Sequence, residues 1–383
     1  MNRWLSLTIV VLVLTSYLIP RANYTESDIQ IYKTSLSVAS QGGNPYDPAQ
    51  MERAFTTVVG AAKAKSIPMA WNPPIFLIFP GLLFALPAAI IYSAWPAFLV
   101  VVCSCMALLG VKLAASQNKQ AALLAVLLAF ISIPSMIEIY VSQISSAVSL
   151  LVLLGMTMFI RGGGFGAGAL MAVAVVKPHI VLLPCCLIAC WVLRGARWMV
   201  ILGAFSAILV GAVLAEVLFP SIWLNWVYRP SWPISYLGAS VPSLIRGFAI
   251  EMGYSDPLFV LYLIPLLGVL TGLLWLIKSN PEPNSEGIIW ALMINPFITP
   301  YGFILDHTNL IVVQSYVLAK LVPYGLGRNV VLSTLVASLM TVLAYNIPGP
   351  GEQLWWMAYA TFLVLGLLLS LRSVQRKIPT IAC

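Results

Sequence analysis

The chain has 383 residues, of which 61% are hydrophobic and only 8% are charged. A water-soluble domain of this size cannot bury that much apolar surface, so composition excludes it and leaves a polytopic all-α membrane protein. The formal net charge of +8 is scattered one or two basic residues per loop, which is a topology signal and not a nucleic-acid footprint.

In chain order, Met1-Asn2-Arg3 leads into an apolar run at 4–19 that stops at Pro20-Arg21 with no small-residue cleavage site, so a retained first span is expected. Further apolar runs lie near 74–114, 120–134, 144–160, 165–176, 179–193, 198–218, 257–277, 287–298, 303–321, 329–346 and 353–371. The run 74–114 is too long for one span and breaks at Leu86-Pro87. That leaves 74–86 as a helix of about 13 residues, short of the roughly 20 needed to cross. With 74–86 read as non-crossing, Lys112, Arg161, Arg194, Lys278, Arg328 and Arg372 fall on the side of Arg3, as cytoplasmic basic residues should. The expectation is a single integral membrane domain over 1–383 with about twelve spans and cytoplasmic termini. Glu26, Asp28, Asp47, Glu52, Glu138, Glu251, Asp256, Asp306 and Glu352 then lie outside. Two long external loops result, at 21–73 and 219–256, with short turns around 138–143, 177–179 and 299–307.

The first external loop carries a helix-like stretch at 25–40. Thr25 or Ser27 can cap it, Asp28 stands in its first turn, and Ile31, Leu36 and Val38 offer an apolar side for the membrane surface. Asn44-Pro45-Tyr46-Asp47 reads as a turn. Glu138, Tyr140 and Gln143 mark the third external turn. Lys177-Pro178-His179 interrupts an otherwise continuous apolar run, and a cation there needs water, an anion or a headgroup. In 219–256, Arg229 and Arg246 stand among Trp223, Trp226, Tyr228, Trp232 and Tyr236, which suits sugar stacking or headgroup contact alike. Asn295-Pro296 through Thr299-Pro300-Tyr301-Gly302 leads to Asp306-His307, an acid and a histidine that are costly between apolar stretches unless they line a hydrated cavity. Cys103, Cys105, Cys185, Cys186 and Cys190 lie inside apolar runs without histidine or carboxylate beside them, so neither a disulfide framework nor a metal site is expected.

These residues, taken together and in order, resemble glycosyltransferase family 87. The resemblance is carried by Asp28 with Tyr32, Asn44-Pro45-Tyr46-Asp47, Pro73-Pro74, the Gln143 turn, Lys177-Pro178, and Pro300 with Asp306-His307. The family belongs to the GT-C class and includes polyprenol-phosphate-mannose-dependent mannosyltransferases. It commonly has Lys-Pro-Gln where this chain has Lys177-Pro178-His179, and Gly-Gln where it has Ser142-Gln143. The resemblance implies a GT-C fold whose catalytic acid in the first external loop is Asp28. It also implies transfer of a sugar, mannose by analogy, from a polyprenyl-phosphate donor to a lipid or glycan acceptor outside the plasma membrane.

On the chemistry, Asp28 is the expected general base. Lys177, His179, His307 and Arg246 are the expected contacts to the donor phosphate, and Tyr32, Tyr46, Asp47, Glu138, Gln143, Tyr301 and Asp306 the expected substrate contacts. No metal or cofactor is expected. One carboxylate is sufficient because a phosphate leaving group needs no protonation, and one base with one phosphate clamp predicts inversion. The alternative is a transporter or flippase of a lipid-linked or small polar substrate. Such proteins place ionisable groups near the midplane of broken helices in repeated halves, whereas here the charges gather in external loops and no repeat is visible.

Overall fold

Segments that are apolar all round have two solutions, a protein interior or a lipid one, and the computed structural model of the protein uses both. It describes residues 28–59, 72–78, 87–229, 240–242, 245, 246, 249, 252, 253, 258–299, 304–345 and 351–377, and every regular element among them is helical. The first loop contributes α1 (Asp28–Ser40) and α2 (Pro48–Val59). The body comprises α3 (Ala88–Leu113), α4 (Lys119–Ile131), α5 (Ile133–Val141), α6 (Ser145–Ile160), α7 (Phe165–Met171), α8 (Leu182–Arg194), α9 (Trp198–Leu218) and α10 (Ile222–Val227). It continues with α11 (Leu258–Ser279), α12 (Ser285–Ile298), α13 (Leu310–Leu321), α14 (Gly327–Tyr345) and α15 (Gly351–Lys377). Short 3-10 turns over Ala172–Val176, Pro178–Val181 and Ile304–Asn309 join α7 to α8 and α12 to α13.

The helices start where the side chains dictate. Asn118 accepts from the Gln120 and Ala121 N–H groups to open α4, and Asn284 accepts from Gly287 N–H to open α12, each satisfying donors that the first helical turn leaves orphaned. The apolar runs of the sequence reappear as helices, but few are full spans. Among the described residues, Ala94–Leu113, Trp198–Leu218 and Gly327–Ala344 are long and apolar enough to cross a membrane, with α4 and α5 a fourth if that pair is one span bent by 60°. Ser145–Ile160, Phe165–Val176, Pro178–Arg194 and Ser285–Ile298 are apolar but shorter. The expectation of about twelve spans is therefore met only as far as a polytopic helical membrane protein. The run 4–19 and residues 79–86 of the non-crossing helix lie outside the described residues.

Helix α9 shows how the lipid solution works. Only 22% of it is buried, and Phe205, Val210 and Val217 are exposed, so its surface needs an apolar surround. Breaks in the remaining helices admit polar groups. The α4–α5 bend falls at Ser132, whose hydroxyl accepts from Tyr359 OH at 2.9 Å. Tyr359 lies on α15, is fully buried, and accepts in turn from the Gln314 amide of α13.

Helix α1 departs from the sequence reading in its orientation. Ile29, Tyr32, Ser35 and Ala39 are buried, whereas of the expected apolar side only Val38 is buried and Ile31 and Leu36 are half-buried. The helix thus packs against the protein on a partly polar face, where Tyr32 finds an acceptor in Gln143 and the buried Ser35 hydroxyl is satisfied by the Ile31 carbonyl of its own helix. Thr25 and Ser27, the expected caps, lie outside the described residues.

Close helix crossings rest on glycine. A Cβ on Gly203 would sit 2.0 Å from Phe165 O, and one on Gly168 would sit 1.9 Å from Val200 O, so α7 and α9 meet backbone to backbone, as small residues allow in membranes. Gly203→Val should separate them and lower stability by about 1–3 kcal/mol or more, the cost of overpacking. Gly166→Ala, whose Cβ meets only the end of Met158 at 3.5 Å, should leave stability unchanged or raise it. Thermal unfolding of both variants in detergent checks the pair.

Candidate functional site

Lys177 stands where the chain cannot remain helical. Pro178 disfavours helical backbone in the preceding residue, and Lys177 adopts φ −141°, ψ 72° between the two 3-10 turns. The freed backbone groups are met from distant helices. Asn295 of α12 accepts from Leu183 N–H and donates to the carbonyls of His179 and Ile180, and Asn309 donates to Ile180 O at 2.7 Å. These asparagines hold the break open and turn the Lys177 side chain inward.

Its ammonium donates to Asp306 Oδ1 at 2.8 Å, Ser145 Oγ at 2.7 Å and Gln143 Oε1 at 2.9 Å. Ser145 passes its own proton to Asp306 Oδ1 at 2.7 Å, and His179 Nε2 lies 3.1 Å from Asp306 Oδ2, where an ionised carboxylate can only accept. Lys177, His179, Ser145 and Asp306 are all buried. The anion that a cation at this interruption needs comes from within the chain: Lys177 is paired with Asp306, because a charge this deep needs a counter-charge. Burial alone would push the Asp306 carboxyl up, but Lys177 and His179 together hold it well below the ordinary range.

The first loop reaches this cluster through α1. Tyr32 OH donates to Gln143 Oε1 at 3.2 Å. Gln143 sits in the link between α5 and α6, after Ser142 in left-handed backbone with φ 59°, and Trp95 Nε1 pins the link by donating to Ser142 O at 3.2 Å. Glu138, expected at an exposed turn, is on α5 and wholly buried. Its Oε1 accepts from Ser146 N–H at 2.6 Å, a carboxylate at the positive end of α6, so it fixes the residue next to Ser145.

Other expected contacts serve the loop itself. Tyr46 is fully buried and donates to Asn72 O at 3.1 Å. Asp47 accepts from Ala49 N–H and from the Gln50 amide, both at 2.9 Å. The Gln50 contact, followed by backbone donors, keeps its carboxyl below the ordinary value. Asp47 is thus the cap of α2. Arg229 lies over the Trp226 ring at 4.5 Å and close enough to act on Tyr46, whose phenol burial otherwise pushes up. Arg246 and His307 are buried. Asp28 begins α1, four residues ahead of Tyr32. Tyr301 lies outside the described residues. Among the described residues, no group of three or more His, Cys, Asp or Glu side chains is placed to hold a metal ion.

Sequence reasoning missed Ser145, Asn295 and Asn309 as site-forming residues. The only signal for Ser145 was a pair of serines opening an apolar run. Asn295 stood out only as the start of the segment that leads to Asp306-His307, and Asn309 carried no signal of its own.

A family model, glycosyltransferase family 87, matches residues 71–294. That interval is more than half of the chain and contains Glu138, Gln143, Ser145, Lys177 and His179. No curated protein and no solved structure matches the chain.

Breaking the buried pair from one side should be costly. Lys177→Met or Asp306→Leu alone should destabilise by about 3–5 kcal/mol, because each strands a buried charge, while the double variant should recover much of that loss. A double-mutant cycle on thermal stability reads the coupling. The pH dependence has a definite sign. With the folded pKa of Asp306 depressed, its stabilisation is complete above the ordinary carboxylate range and is lost as pH falls through the folded value. The stability gap between the protein and Asp306→Asn should be flat down to about pH 5 and should close only below about pH 4.

Proposed function

Because the chain belongs to glycosyltransferase family 87 and is a membrane glycosyltransferase, we propose that it transfers a sugar, mannose, from a polyprenyl-phosphate donor to a lipid or glycan acceptor. In this reading transfer takes place on the extracytoplasmic side of the plasma membrane, with inversion and with Asp28 as general base. Family membership displaces the transporter alternative. The observation that carries the finer reading is the meeting of α1 with the Lys177 cluster through Tyr32 and Gln143. It puts the helix that begins at Asp28 beside the buried Lys177–Asp306 ion pair of the two chain breaks, from loops that the charge pattern assigns to a single membrane face.

The chemistry follows from that placement. The acceptor hydroxyl gives its proton to the Asp28 carboxylate as its oxygen bonds to the anomeric carbon. The bond from that carbon to the phosphate oxygen breaks, and the electron pair leaves with the polyprenyl phosphate. Negative charge grows on the phosphate, where the Lys177 ammonium is the cation offered for it, and charge stabilisation is worth most in a dry site. A first helical turn favours the ionised Asp28 that a base requires.

Asp28→Asn keeps shape and removes the proton acceptor. With polyprenyl-phosphate mannose as donor, its turnover should fall by about 10²-fold or more, while Glu52→Gln, an exposed acid of the same loop, should transfer at the unaltered rate. Near-normal transfer by Asp28→Asn would reassign the base. The sidedness is checked by single cysteines on a cysteine-free background. Because His307 is itself buried, the reading is taken at position 28 and at the exposed positions 52 and 140. These should react with an impermeant thiol reagent added from outside, and labelling only from the cytoplasm would reverse the topology.

A further inference from the structure

The ammonium of Lys177 has three N–H bonds, and all three are engaged, by Gln143, Ser145 and Asp306. It can take a new ligand only by giving up an old one. Ser145 and Asp306 are buried and bonded to each other, so releasing either strands a polar group in the interior. Gln143 differs in three respects. It is half-buried, it sits in the short link between two helices, and no hydrogen bond among the described residues involves its amide nitrogen.

The surroundings of the Gln143 carbonyl oxygen match a different group. Lys177 Nζ at 2.9 Å, Tyr32 OH at 3.2 Å and Ile144 N–H at 3.4 Å all point at this single atom. A neutral amide oxygen offers two lone pairs and no charge. Three converging donors, one of them an ammonium, suit an anionic oxygen better, since charge-assisted hydrogen bonds are about twice as strong as neutral ones.

Resting on the donor class given above, we propose that Gln143 Oε1 is a placeholder for a phosphate oxygen of the polyprenyl phosphate. When donor binds, the amide swings out and the phosphate oxygen takes the donors of Lys177, Tyr32 and Ile144. Ser145 and Asp306 stay in place and keep the ammonium aimed. No bond forms or breaks in this step, and the leaving group departs from the same three donors, so donor and polyprenyl phosphate product share the subsite.

The exchange is tested by equilibrium binding of a short-chain polyprenyl phosphate to detergent-solubilised protein, with the matching polyprenol, inorganic phosphate and phosphatidylglycerol as comparison probes. Gln143→Leu removes the competing oxygen and should bind polyprenyl phosphate as tightly as the unaltered protein or more tightly. Gln143→Glu keeps the shape but pairs its own charge with Lys177, and should bind about tenfold more weakly or worse, as should Tyr32→Phe if one charge-assisted hydrogen bond is lost. Thermal unfolding of each variant confirms that it is folded. Weaker binding by Gln143→Leu would make Gln143 a direct ligand contact and overturn the exchange, as would unchanged binding by Gln143→Glu. If the unaltered protein binds polyprenyl phosphate no better than polyprenol, the donor class itself fails whatever the variants do. If phosphatidylglycerol or inorganic phosphate matches polyprenyl phosphate on every variant, the subsite recognises phosphate in general and its assignment to the donor is overturned.

Discussion

A carboxylate buried to 4% exposure sets the terms for the rest of this molecule. Asp306 is too deep to stay ionised unaided, and everything around it answers that requirement. Lys177 supplies the counter-charge, Ser145 and His179 supply the remaining donors, and the helices that carry these residues are interrupted where the side chains must emerge. A buried ion pair is weak evidence for stability, since apolar residues of the same volume usually do as well. Its cost points to use, and here the pair lies where α1 of the first loop comes down onto the helical body through Tyr32 and Gln143.

The supporting residues form a second tier with a different task. Asn295 and Asn309 satisfy the backbone that the break at Lys177-Pro178 leaves open. Glu138 anchors the first turn of α6, and Trp95 fixes the link that carries Gln143. None needs to meet a substrate, yet each sets the position of a group at the centre. Such preorganisation lets a charge act at the moment of reaction without rearranging.

Much of this was legible because polar residues are conspicuous in an apolar chain. Lys177, His179, Asp306, Gln143 and Tyr32 stood out one by one, and the interruptions at 177–179 and 299–307 showed where the helices would stop. What the sequence did not reveal was pairing. Lys177 and Asp306 are 129 residues apart, and local pattern carries no signal for a contact of that range. Lys177 therefore read as a cation in need of water, an anion or a headgroup, without any sign that Asp306 answers that need. Glu138 read as part of a turn because the break at Ser132, although Pro134 stands in the first turn of α5, falls at the end of an apolar run, where the short helix that follows it was not read. Nor did the sequence show the local partners of Tyr46 and Asp47, which are the Asn72 carbonyl for the one and the first turn of α2 for the other. Span number was the least legible feature, since apolar length alone cannot distinguish a crossing helix from one that stops short to deliver a side chain.

The Ser132 bend has a consequence for biogenesis. Its stabilising phenol, Tyr359, lies 227 residues further along the chain, and Asp306 likewise follows its lysine at a distance of 129 residues. A ribosome-bound chain that has inserted α4 to α8 therefore holds a bend without its brace and a cation without its counter-charge. Neither can be completed in the order of synthesis. The centre closes late, after the helices have entered the bilayer one by one, so an arrested nascent chain has no assembled site even when most of its apolar segments are in place.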